Sequence, residues 1–100
     1  MILYNVTVNI DKEVENEWLQ WMKQIHIPNV LKTGMFVDHK MYKIMADDPQ
    51  GTSYSIQYFA DSMEKLNKYQ SEFASALQAE TIQNYGRHLV AFRTVLESVD

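Results

Sequence analysis

Ile2-Leu3-Tyr4-Asn5-Val6-Thr7-Val8-Asn9-Ile10 is the stretch on which the fold turns. Ile2, Tyr4, Val6, Val8 and Ile10 alternate with Leu3, Asn5, Thr7 and Asn9, the period of two of a strand with one apolar face. The period then changes. Val14, Trp18, Trp21, Met22 and Ile25 recur at helical spacing behind Asp11, a residue suited to cap the helix. Glu13, Glu15 and Glu17 put negative charge where the helix dipole favours it. Pro28 has no amide hydrogen and disfavours helical geometry at Ile27, so the helix is expected to break or kink there. A second short turn, Pro28 to Thr33, ends at Gly34, which can take the left-handed cap conformation.

Met35 to Met45 reads as a second strand with blurred alternation, Phe36, Tyr42 and Ile44 on one side and Val37, Met41 and Met45 on the other. Asp47-Asp48-Pro49-Gln50-Gly51 has the chemistry of a hairpin turn, and Thr52 to Ala60 returns as a third strand. A helix starts at Asp61 or Ser62 with the stripe Met63, Leu66, Tyr69, Phe73, Ala76 and Leu77, and runs to a second glycine cap at Gly86. His88 to Val99 closes the chain as a fourth strand, with Val90, Phe92 and Leu96 on one side and Leu89, Ala91, Arg93 and Val95 on the other. The order strand, helix, strand, strand, helix, strand is the ferredoxin-like βαββαβ unit. It predicts a single α+β domain over residues 1–100, a four-stranded antiparallel sheet with both helices on one face. Right-handed crossovers place the first and third strands in the centre, flanked by the fourth and second.

Composition narrows the function. With 46% hydrophobic residues in 100, the chain can close one core, burying roughly two-thirds of its unfolded surface. Thirteen acids against nine bases give a net charge of −4, which does not draw the chain toward nucleic acid or an anionic membrane. No stretch approaches the roughly 20 apolar residues of a membrane span, and MILYNVTVNI lacks the features of a signal peptide. The absence of cysteine removes thiol chemistry and fits a reducing compartment, so a cytoplasmic protein is expected. His26, His39 and His88 stand far apart with no carboxylate at a ligand spacing, and no metal site is expected. His26 reads as a dipole-complementing residue at a helix end. With three glycines there is no phosphate loop, and no serine stands in a nucleophile elbow, so no cofactor is implied. The third strand lacks the glycine and basic residue of RNA-recognition domains.

Two helices cover one face of the sheet, and the apolar alternation of the first strand puts Tyr4, Val6 and Val8 beneath them. The opposite face then carries Leu3, Asn5, Thr7 and Asn9 with Ser55, Gln57 and Phe59. Placing Arg93 on that open face, with Leu89 and Val95, avoids burying an unpaired guanidinium. Asn5, Gln57 and Arg93 would then cross three neighbouring strands, joined by His39 if Val37 and Met41 share the face. Such a mixed face is too apolar to stay wet, so a homodimer through the sheet is expected. Asn5, His39, Gln57 and Arg93 are the candidate ligand-binding residues, with Arg93 recognising an anion and Asn5 and Gln57 orienting it. The alternative is plain hydrogen bonding at the dimer interface. Trp18, Trp21, Tyr69 and Phe73 read as core, or as the lining of a cavity between helices and sheet.

Tyr4-Asn5-Val6-Thr7, Trp18-Leu19-Gln20-Trp21-Met22, His26-Ile27-Pro28, Thr33-Gly34-Met35-Phe36, Gln57-Tyr58-Phe59 and Phe92-Arg93-Thr94 together resemble the bacterial family DUF4286, whose function is unassigned, across essentially the whole chain. At fold level the chain is similar to the dimeric α+β barrel superfamily, which includes cofactor-independent monooxygenases and haem-degrading enzymes. That resemblance implies a barrel-like dimer and transmits no activity. Asn5 matches the first-strand asparagine of the haem-degrading members, but Asp61 to Tyr85 contains neither the tryptophan nor the histidine of their second helix. The function expected is therefore a non-catalytic module binding a small molecule or a protein partner, the alternative being a cofactor-independent oxygenase- or isomerase-like enzyme with a pocket at the sheet.

Overall fold

The computed structural model describes residues 1–100. Strands β1 (Ile2–Asp11), β2 (Asp38–Lys43), β3 (Gly51–Ala60) and β4 (Leu89–Glu97) form one antiparallel sheet in the order β2-β3-β1-β4. This is the ferredoxin-like α+β arrangement, with the helices on one face. β1 and β3 are central and alternate cleanly: Ile2, Tyr4, Val8 and Ile10 pack under the helices with Tyr54, Ile56, Tyr58 and Ala60 opposite them. Trp18, Val30 and Leu66 from the helices complete the core, and Phe36 from the loop before β2 wedges against Tyr58 and Tyr69 with ring centroids 5.2 and 4.8 Å apart. No helix is long and apolar enough to cross a membrane.

The first helical arm does not break at Pro28. It begins with a 3₁₀ turn, Lys12–Val14, continues as α1 (Glu15–Trp21), widens into a π turn at Met22–His26 and resumes as α2 (Ile27–Lys32). Proline cannot donate to the carbonyl four residues back, so the chain absorbs the lost bond by expansion. Ile27 donates to the Met22 carbonyl, five residues back, and Pro28 sits in the first turn of α2, where a missing N–H costs little. Gly34 ends the arm with φ +78°, the left-handed geometry glycine permits. The second arm is α3 (Met63–Glu72) and α4 (Ala74–Tyr85), hinged at Phe73. Ser62 caps α3 by accepting from the Lys65 amide.

Four local expectations are corrected. Asp11 makes no side-chain cap. Its Oδ2 lies 3.2 Å from His88 Nδ1. Gly86 closes α4 in right-handed geometry, and glycine is needed there for space, since a Cβ would stand 2.5 Å from the Ile82 carbonyl oxygen. On β4 the two sides are as read but their faces are reversed. Arg93 pairs with Val6, Val95 with Tyr4 and Leu89 with Ile10, so all three lie on the helix side, while Val90, Phe92 and Leu96 lie on the open face. His39 pairs with Tyr58 and so also lies on the helix side, together with Met41. Arg93 nevertheless remains exposed, because β4 is an edge strand only partly covered by the helical arms.

Candidate functional site

Val6 faces the helices from the middle of a central strand, yet it is only half-buried while Tyr4 and Val8 on either side are buried. Above it the two helical arms splay apart and leave a cavity of about 280 Å³. Its floor is Tyr4, Val6 and Val8 of β1 with Ile56 and Tyr58 of β3 and Leu89, Ala91 and Arg93 of β4. One wall is Trp18, Met22, His26 and Val30, and the other is Tyr69 of α3 with Leu77, Gln78, Thr81 and Ile82 of α4. The π turn contributes to this wall directly, since Met22 and His26 are its first and last residues.

His26 stacks on Trp21 at 5.0 Å and 22° between ring planes, and its Nδ1 lies 3.5 Å from Thr81 Oγ1 across the gap between the arms. The Thr81 hydroxyl donates to the Leu77 carbonyl at 3.3 Å. Burial lowers the imidazole pKa to about 4, and the neighbouring Arg93 cation pushes in the same direction. His26 is therefore neutral at physiological pH. The Arg93 guanidinium has no carboxylate within ion-pair distance, and none of the residues lining the cavity is an Asp or Glu.

Two tyrosine hydroxyls elsewhere in the molecule find carboxylate acceptors. Tyr54 donates to Glu15 Oε2 at 2.5 Å, a bond that holds the start of α1 against β3, and Tyr85 donates to Glu17 at 3.2 Å. The Tyr54 bond is the main reason that the Glu15 carboxyl is held below its usual range. Tyr58 differs in being buried without a partner. Its ring is 2% exposed and its hydroxyl has no partner, as is also true of the Trp18 indole N–H. Both residues border the cavity, yet neither polar atom is accessible from it. Burial pushes the Tyr58 phenol pKa up, as do the nearby Tyr69 and Tyr4, so it stays protonated and remains a donor. Buried donors without partners are rare in native proteins and mark a strained or functional position.

Of the four residues expected to form one site, only Arg93 reaches the cavity. Asn5 and Gln57 face each other across β1 and β3 on the open face and are tied to their neighbours. Ser55 Oγ donates to Asn5 Oδ1 at 2.6 Å, Asn5 donates to Thr7 at 3.0 Å, and Gln57 donates to Ser55 at 3.2 Å. His39 is exposed on the edge strand β2, outside the cavity. Trp18 and Tyr69 do line it, but Trp21 and Phe73 do not. His26 was read as a helix-end residue only. The signal that could have placed it was Pro28, whose missing donor forces the turn that carries the imidazole. Sequence spacing also did not show that His88 meets two carboxylates: Nδ1 lies 3.2 Å from Asp11 and 3.4 Å from Glu13. The three offer one nitrogen and two oxygen donors within 4.8 Å of one another, a set suited to a divalent cation, on the surface where β1 ends and β4 begins.

Solved structures share this architecture over nearly their full length. An EthD family protein from Bacillus halodurans C-125 superposes with a TM-score of 0.69 at 16% identity, covering 99% of this chain and 100% of that one. A dimeric ferredoxin-like protein from an uncultured marine organism gives 0.69 at 15% identity, covering 100% and 96%. SnoaB of Streptomyces nogalater, a cofactor-independent oxygenase, gives 0.64 at 7% identity, covering 99% and 94%. At these identities the likeness establishes the fold, that of the dimeric α+β barrel proteins, and nothing finer. No curated protein matches the chain in sequence. Residues 1–99 match the family described as a domain of unknown function, DUF4286, and the chain belongs to that family.

Proposed function

We propose that the chain is a homodimeric α+β barrel protein that binds a small molecule in the cavity between its sheet and its helices. The observation that carries this reading is a mostly apolar cavity of about 280 Å³ left open between sheet and helices beside an unpaired Arg93. A core that served packing alone would close such a space. The homodimer is supported by the open face of the sheet, where Val90 and Phe92 are 72% and 61% exposed and are continuous with Leu3, Leu96 and Phe59. In a face-to-face dimer Asn5 and Gln57 become interface residues whose bonds run along the sheet, and ligand recognition passes to Arg93 and the cavity. A chain without cysteine suits a reducing compartment, and the cytoplasm is the location we assign.

One observation favours a second reading, an oxygenase- or isomerase-like enzyme needing no cofactor. A neutral imidazole beside a guanidinium in a mostly apolar cavity can take a proton from a bound substrate while the cation stabilises the oxyanion left behind. Native mass spectrometry of the protein purified from its own host tests the principal reading. The expected result is a dimer that carries a discrete small molecule in the full-length protein and loses it on Val6→Trp, which fills the cavity floor. A monomer, or ligand retained equally by Val6→Trp, would overturn it.

A further inference from the structure

We propose that Asp11, Glu13 and His88 form a surface site for one divalent cation of the zinc class, outside the cavity and independent of its reading as a ligand site. Asp11 Oδ2 and Glu13 Oε1 stand 3.2 and 3.4 Å from His88 Nδ1, and the three donor atoms all lie within 4.8 Å of one another.

Geometry is the first support. Bonds of about 2.1 Å put neighbouring ligand atoms about 3.0 Å apart around an octahedral ion and about 3.4 Å apart around a tetrahedral one. Both separations from Nδ1 fall in that interval. The backbone beneath already holds the arrangement. The Asp11 amide donates to the His88 carbonyl at 2.9 Å where β1 ends, and the His88 amide donates to the Tyr85 carbonyl at 2.8 Å. Glu13 follows in the 3₁₀ turn Lys12–Val14, closed by the Glu15 amide on the Lys12 carbonyl. Little backbone freedom is left for an ion to remove.

Charge is the second. Neither carboxylate has a Lys or Arg within ion-pair distance, and both turn to the same imidazole nitrogen. That ring, charged or neutral, brings at most one positive charge to two negative ones, and its Nδ1 carries at most one proton, which cannot point at both oxygens. The cluster is net negative in either state. A divalent ion supplies the charge that the chain does not, and bonds to all three atoms at once.

Donor identity sets the class of ion. Mg²⁺ and Ca²⁺ take oxygen ligands, whereas an imidazole suits zinc and its transition-metal neighbours. The three ligands come from the end of β1, the start of the first arm and the residue before β4, so the ion ties these segments together. Gly86 and Leu89, which flank Arg87 and His88, border the cavity, and an ion here braces that stretch of its rim.

The test titrates the full chain, stripped of metal by a chelator, with Zn²⁺ and with Mg²⁺ at pH 7.5, reading binding by calorimetry, Tm by thermal shift and the imidazoles by long-range ¹⁵N–¹H NMR. The expected result is one Zn²⁺ per chain, a raised Tm, and a change at His88 Nδ1 while its Nε2 keeps the proton and His26 and His39 are unmoved. Mg²⁺ should bind at least about a hundredfold more weakly. His88→Gln and Asp11→Asn should each weaken Zn²⁺ by at least the roughly tenfold that loss of an outer-shell partner costs. Glu13→Gln, at the most exposed of the three and so the least able to disturb the fold, should do the same, and His39→Gln should change nothing. No saturable Zn²⁺ binding up to about 1 mM, equal binding of Mg²⁺, or affinity that survives both His88→Gln and Glu13→Gln would overturn the proposal. So would a zinc-dependent change at His39 or the N-terminus in place of His88.

Discussion

Replacing Tyr58 by Phe should make the empty protein more stable, and the size of the gain follows from its surroundings. The hydroxyl is buried without a partner, a state that costs about 1–3 kcal/mol relative to water. Phenylalanine keeps the ring and with it the neighbours Tyr4 at 6.3 Å and Phe36 at 5.2 Å between centroids, so the packing loss is confined to one oxygen. That vacancy is roughly 10 Å³, which at about 24 cal/mol per Å³ costs about 0.2 kcal/mol. The net expectation is a gain of about 1 kcal/mol, or a Tm raised by about 4–8 °C in a domain of this size. Ionisation does not intrude, because the phenol is held well above its ordinary pKa. Urea unfolding at one fixed protomer concentration, with equal slopes for the two proteins, measures it. Tyr54→Phe is the counterpart: it removes a 2.5 Å bond to a carboxylate and should cost about 1.5–3 kcal/mol. If Tyr58→Phe proved destabilising by about 0.5 kcal/mol or more, the hydroxyl would have a structural partner and the reasoning from its unsatisfied burial would be refuted.

Three further outcomes follow. Phe92→Glu should convert the dimer to a monomer in light scattering, since an unpaired charge in a closed interface costs several kcal/mol, whereas Val95→Glu, on the helix side of the same strand, should leave the dimer intact. Dissociation by both or by neither would refute the face assignment. His26 takes up a proton near pH 6.5 when unfolded but only near 4 when folded, so the unfolded chain binds more protons between those values. Stability should therefore be complete above pH 6.5 and fall by up to about 3 kcal/mol as the pH drops to 4, a slope that His26→Leu should flatten. Glu15, whose carboxyl is lowered mainly by the Tyr54 bond, adds its loss only at and below the ordinary carboxylate range, so it does not imitate the histidine between pH 6.5 and 5. An unchanged slope in His26→Leu would show that the imidazole is not held neutral.

The central strands were legible because each has one face that water cannot take. Ile2 to Ile10 and Thr52 to Ala60 carry large apolar residues at every second position, and a slip of one residue would expose them all. β4 offers no such contrast: Val90, Phe92 and Leu96 compete with Leu89, Ala91 and Val95, and the apolar content of the two sides is nearly equal. Arg93 was assigned by desolvation, on the premise that the helix side of every strand is buried. That premise holds for β1 and β3 and fails at the edge, where Arg93 lies on the helix side and stays exposed. The same incomplete cover produced the cavity. Pro28 widens the first arm into a π turn instead of ending it, Phe73 hinges the second, and the two arms do not close over Val6. A charged residue on an edge strand thus reports where the cover stops more than which face it occupies. Here it stops near a neutral imidazole, an unpaired cation and a buried phenol without an acceptor, groups 32 to 67 positions apart in the sequence. None is a motif, and only the splay of the arms makes them neighbours.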